Sequence, residues 1–175
     1  MESFRNGVAN APASVMLCGM ATEVQPRPLT YEEERGKPMP SRNHGRVQAN
    51  LTVEFFSQQQ FSIYNELTLT MGGVDYTPDI SVYPREAADY RHDEVTRAEL
   101  PLVAVEILSP SQSHQAVLQK AEVYLRHGVK SCWIVSPPFR TVTIILPDGR
   151  EEVFHRGAVK DPIIGLAADL SKVFS

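Results

Sequence analysis

Leu102-Val103-Ala104-Val105-Glu106-Ile107-Leu108 is the run whose reading decides the fold. It is apolar and β-branched on both faces of an extended chain, the pattern of a strand buried between two layers. Glu106 breaks that pattern. Burying an ionised carboxylate costs several kcal/mol or more unless a cation or hydrogen bonds compensate, so an acid at this place needs a partner. Side chains alternate along a strand, which puts Glu106 and Leu108 on one face and Val105 and Ile107 on the other. Upstream, Asp79 opens a second strand-like run, Ile80-Ser81-Val82-Tyr83, behind Thr77-Pro78, and proline suits a strand's first position. Downstream, Ser109-Pro110-Ser111 is expected to turn the chain and cap a helix ending at His127-Gly128, where glycine permits a left-handed stop. Ala116, Lys120 and Tyr124 stand one turn apart on that helix, and apart from His114 no basic residue lies between Glu106 and Lys120.

At 175 residues the chain is long enough for a single substantial core. With 42% hydrophobic and 22% charged residues, its composition is that of a soluble globular protein. The formal net charge of -4 gives no basic balance, and no basic stripe marks a nonspecific nucleic-acid surface. Cys18 and Cys132 lie far apart and read as reduced, buried thiols; two cysteines are too few for structural zinc. Residues 15–21 have some likeness to a signal-peptide core, but Glu2, Pro12 and Gly19 fit that reading poorly. No run reaches transmembrane length, so a cytoplasmic protein is expected.

In chain order, residues 1–24 read as a partly disordered extension and 25–175 as one domain. Glu32 to Glu34 form a cluster whose plain reading is a solvated acidic face. Ser41 or Asn43 can cap a helix running to about Gln58, with Val47, Leu51 and Phe55 as its core stripe. His44 and Gln48 share an adjacent face; His44 is a candidate phosphate contact, whereas Gln48 and Glu54 read as solvated. Residues 61–70, the Gly72-Gly73 turn and residues 74–83 predict an antiparallel hairpin carrying Asp79. Residues 85–99 read as an exposed loop able to flank a site as a flap. A second buried strand follows over 129–136 with Trp133 in the core. A hairpin over 141–146 and 151–154, and a short amphipathic helix over 165–174, complete the chain.

Together these residues resemble the Uma-two family of restriction-endonuclease-like proteins, within the PD-(D/E)XK nucleases. The similarity covers residues 29–174 and includes Tyr31-Glu32, Gly36, Pro40-Ser41, His44, Pro78-Asp79, Val105 to Ser111, Lys120, Tyr124, Gly128-Val129, Trp133, Leu166, Leu170 and Phe174. Its most specific part is Glu106-Ile107-Leu108-Ser109-Pro110-Ser111. In such nucleases an acid-x-lysine strand meets an aspartate from a neighbouring strand; here Leu108 fills the lysine slot, and the resemblance moves the lysine to Lys120. It implies an α/β fold, a mixed β-sheet flanked by helices. It also implies hydrolysis of phosphodiester bonds in DNA by Asp79, Glu106 and Lys120. Magnesium, or manganese as substitute, would be held by Asp79, Glu106, the Ile107 carbonyl and Glu32, with His44 and Tyr124 toward the substrate. A homodimer would suit the cutting of two strands. Ala116 and Ser136 depart from the usual pattern, each standing where such proteins often carry an acid. Two rivals are a catalytically weak or inactive binding and assembly module of the same fold, and another metal-dependent hydrolase using the same acids.

Overall fold

Helix α1 (Arg42–Phe56) begins where the Ser41 hydroxyl accepts a hydrogen bond from the His44 amide, in a computed structural model that describes residues 40–175. The expected extension boundary at residue 24, Cys18 and Glu32 lie outside the described residues. Val47, Leu51 and Phe55 are buried as their spacing predicts, and His44 continues the buried stripe by one turn.

The helix packs on a six-stranded sheet. Its order is β1 (Phe61–Asn65), β4 (Ile80–Pro84), β6 (Val103–Ile107), β7 (Ser131–Ser136), β8 (Thr141–Ile145) and β9 (Glu151–Phe154). All neighbours are antiparallel except β6 and β7. A parallel pair needs a crossover, and α2 (His114–His127) supplies it. Every residue of β6 is buried, which explains its apolar reading on both faces, broken by Glu106 alone. Val105 and Ile107 pack with Val47, Leu51, Phe55 and Trp133 on the α1 side; Ala104 packs with Tyr83, Ala121, Tyr124 and Cys132 on the α2 side. Gly128 ends α2 at φ 116, the left-handed stop expected there, but the cap at its start is Ser113, whose side chain accepts from Ala116 N. Residues 109–111 only turn the chain.

The predicted hairpin over 61–83 divides in two. Its base, β1 with β4, joins the large sheet, while its tip, β2 (Thr68–Met71) with β3 (Val74–Tyr76), joins β5 (Thr96–Arg97) in a three-stranded sheet. Glu66 takes a positive φ of 56 where the strands part, and Pro78 has no amide to continue the ladder. Asp79 still accepts at its carbonyl from the Glu66 amide at 3.1 Å, but donates its own amide to the Val105 carbonyl at 3.0 Å. The split therefore hands Asp79 to the strand that carries Glu106.

Residues 85–95 are exposed, and β5 adds a short strand to what reads in sequence as an exposed loop with room for a helical turn. Arg97 grips both oxygens of Glu86 at 2.7 and 2.9 Å, while Tyr64 donates to Glu86 at 2.6 Å. Arg97 and Tyr64 hold the Glu86 carboxyl down at about 2. Its stabilising contribution is present above the ordinary carboxylate range and is lost as pH falls toward 2. Glu86→Gln should remove that part of the acid limb, leaving a shallower loss of Tm between pH 4 and 2; an unaltered acid limb would contradict it.

The C-terminal segment begins with a strand where the sequence pattern suggests helix throughout. β10 (Ala158–Lys160) pairs with β11 (Ala167–Asp169), and α3 (Leu170–Val173) follows. The Gln58 side chain bonds both the amide and the carbonyl of Ala167, at 3.1 and 2.7 Å, so the backbone there is held extended by α1's C-terminal flank. Glu54, expected in solvent, is half-buried and accepts from the Asp169 amide and Lys172.

Candidate active site

The register of β4 against β6 pairs Ile80 with Val105, and one step further sets Asp79 across from Glu106. Both acids are buried, at 4% and 2% exposure. Glu106 projects from the α2 side of the sheet. There the Tyr124 hydroxyl donates to its Oε1 at 2.6 Å and Lys120 Nζ lies 3.1 Å from its Oε2. The one-turn spacing of Lys120 and Tyr124 thus delivers a cation and a hydroxyl to one carboxylate. Lys120 is partly exposed, so its ammonium joins a buried acid to the solvent side.

Burial pushes the Glu106 carboxyl above its ordinary range, Lys120 pulls it back and the Asp79 charge adds to the rise. A carboxylate kept where its ionised form is disfavoured, with a second acid acting on it, is a signature of function more than of stability. Burial and the Glu106 charge push the Tyr124 phenol up as well, so it stays a hydrogen-bond donor at neutral pH. Tyr124 is wholly buried, and its hydroxyl is directed to Glu106 where the sequence reading had it facing substrate. Cys132 is a buried thiol whose pKa burial pushes well up, which makes it a core residue rather than a nucleophile.

Asp79 is fixed from two elements. The Ile107 amide donates to its Oδ2 at 2.7 Å, and His44 Nε2 stands 3.0 Å from the same oxygen. One turn along α1, Gln48 donates to the Asp79 carbonyl at 2.8 Å. His44, read in sequence as a phosphate contact, is 4% exposed and turned to Asp79. Gln48, read as solvated, is half-buried and serves the same residue. Their four-residue spacing was visible in the sequence; their common partner, thirty-odd residues away, was not.

Among the described residues, no group of three or more His, Cys, Asp and Glu side chains is arranged to hold a metal ion. Glu32 lies outside those residues, and Ile107 meets Asp79 through its amide. The donor chemistry nonetheless fits a hard divalent cation. Two carboxylates act on one another electrostatically, and the more buried one sits where an added cation would relieve the cost of its charge.

A family model described as "Uma2: Putative restriction endonuclease" matches residues 31–170. Among solved structures, the chain is similar to one described as a "putative nuclease belonging to DUF820 from Anabaena variabilis ATCC 29413". The two share 27% identity and a TM-score of 0.66, over 78% of this chain and 83% of that one. A search of the curated proteins gave no match.

Proposed function

Because this chain belongs to the Uma2 restriction-endonuclease family, we propose that it is a magnesium-dependent endonuclease hydrolysing phosphodiester bonds in DNA. The observation that carries the reading is Glu106: a buried acid on the central strand, across from Asp79 and hydrogen-bonded by Lys120 and Tyr124. Asp79 and Glu106, with the Ile107 carbonyl and Glu32, would hold magnesium or manganese. Such an ion supplies a polarised phosphate and a bound water of lowered pKa. His44, Gln48 and the Ile107 amide keep Asp79 from swinging away, and Tyr124 does the same for Glu106. Lys120, reaching from the buried acid toward solvent, orients the attacking water or offsets charge gathering on the phosphorane. A homodimer would present two such sites to two strands. No helix among the described residues is long and apolar enough to cross a membrane, and a cytoplasmic enzyme is the proposed setting.

The deciding experiment measures nicking of supercoiled plasmid with magnesium, without it, and after chelation, alongside calorimetric titration with manganese. Metal-dependent nicking with manganese bound at millimolar concentration or tighter is the expected result. Absence of both would favour the inactive binding module, a reading supported by the fact that both Glu106 oxygens already have protein partners. Manganese binding without nicking would favour a different hydrolase. Lys120→Met should lower kcat roughly 100- to 1,000-fold with manganese affinity changed only a few-fold, since the ammonium acts on developing charge rather than on the ion. Equal losses in both would move Lys120 from chemistry to site assembly.

A further inference from the structure

The sheet face that bears Glu106 continues past it into a cavity of about 180 Å³. Ile134, which pairs with Glu106 across β6 and β7, lines this cavity, as does Leu108, two residues beyond Glu106 on the same face. Leu118 of α2 closes the opposite wall. The chamber is thus the immediate neighbour of the candidate active site. We propose that it receives one nucleobase of the substrate strand, beside the scissile phosphate, an inference resting on the nuclease reading above.

Three observations select a base over a phosphate or a peptide side chain. The first is charge. Among the described residues no lysine or arginine lines the cavity; its polar wall includes the Glu151 carboxylate and the His114 imidazole, so a phosphate would meet the Glu151 charge while a base's amino groups would find an acceptor. The second is Ser136. It lines the cavity, is 6% exposed, and its hydroxyl has no hydrogen-bond partner among the described residues. A buried hydroxyl without a partner is a cost that folding does not recover, and a ligand edge able to give or take a hydrogen bond removes it. The third is Phe139, which lines the same cavity yet is 71% exposed. It ends a short 3-10 turn (Pro137–Phe139) in which two prolines limit the backbone, and among the described residues its ring makes no aromatic or cation contact. Aromatic rings displayed beside an active site stack on bases whatever their sequence. The volume agrees: it is below the roughly 300–1,000 Å³ typical of sites for larger ligands, and suits a single ring system.

The test is steady-state cleavage and equilibrium binding of a set of oligonucleotides in which one abasic position is walked past the cut, using the full chain and Phe139→Ala. Phe139 is largely in solvent, so its removal leaves folding intact. One abasic position should weaken binding roughly 5- to 100-fold for the natural chain, the range of a lost stacked base. Phe139→Ala should weaken binding of the intact oligonucleotide comparably, and the two changes together should cost no more than either alone. Ser136→Ala should leave Tm unchanged or raised while relaxing base preference at that position only. Cleavage in which the abasic and Phe139→Ala losses multiply, or in which no position matters, overturns the subsite and leaves the nuclease reading standing. If the natural chain neither binds nor cuts the intact oligonucleotide, both fall.

Discussion

Glu106→Gln is expected to abolish metal-dependent cleavage, by at least roughly 1,000-fold, while making the metal-free protein more stable at pH 8. The two effects share one cause. Glutamine keeps the shape and an oxygen that can accept from Tyr124 or Lys120, but it brings no charge to bind a cation. The folded state raises the Glu106 pKa above its ordinary value of 4.5, so between that value and the raised one the folded chain holds a proton that the unfolded chain has released. Stability therefore declines as pH rises through this window and the decline is complete above it. Removing the ionisable group removes the decline. The stability gap between Glu106→Gln and the natural chain should be negligible below pH 4.5 and widen toward pH 8, as read by thermal melts in chelator. Added manganese should raise the Tm of the natural chain and leave that of the variant unmoved. Retained cleavage would remove Glu106 from the chemistry, and a variant less stable than the natural chain at pH 8 would show that Lys120 and Tyr124 outweigh the burial cost.

That such a residue could be found without coordinates follows from what a buried strand looks like. Each position in β6 lies between two layers, so hydrophobicity is demanded everywhere and one acid stands out against it. The core stripe of α1 and the face of α2 that delivers Lys120 and Tyr124 were legible for a similar reason: helical period fixes which side chains share a face. The grip on Asp79 was not. Its donors come from α1 and β6, and no local period records which distant residue a histidine or glutamine will meet. The splitting of the 61–83 hairpin was hidden too. Its strand pattern runs on past Glu66 and Pro78, and only competition with β5 and β6 for partners decides where the ladder breaks. In the C-terminal segment the apolar spacing suited a helix, but Gln58 claims both backbone groups of Ala167. Ser136 departs from a family pattern in the sequence, yet its want of a hydrogen-bond partner among the described residues is a property of three-dimensional packing alone.

Asp161→Ala is expected to be the most damaging substitution outside the site, costing about 4 kcal/mol and lowering Tm by about 10 °C. Asp161 sits in the loop between β10 and β11, is 1% exposed, and lies in a stretch with no strand pattern to make an acid conspicuous. Its Oδ1 accepts from the amides of Ile163 and Ile164, at 2.9 and 3.0 Å, which shapes the turn. Its Oδ2 accepts from the Ser131 hydroxyl and from Trp133 Nε1, both on β7. One side chain thus forms its own loop and ties it to the central sheet. Truncation strands a hydroxyl and an indole N–H in the core, and each buried donor left alone costs about 1–3 kcal/mol. The losses are not additive, because the loop can relax and admit water. Asp161→Asn should fall roughly midway: its oxygen can serve the loop amides, but its amide group then faces two donors. Since Asp161 touches neither acid of the candidate site, cleavage per folded molecule should be unchanged well below the melting point. A loss under 1 kcal/mol for Asp161→Ala would mean that the loop holds to β7 by apolar packing around Val159 and Leu166, with the carboxylate a bystander.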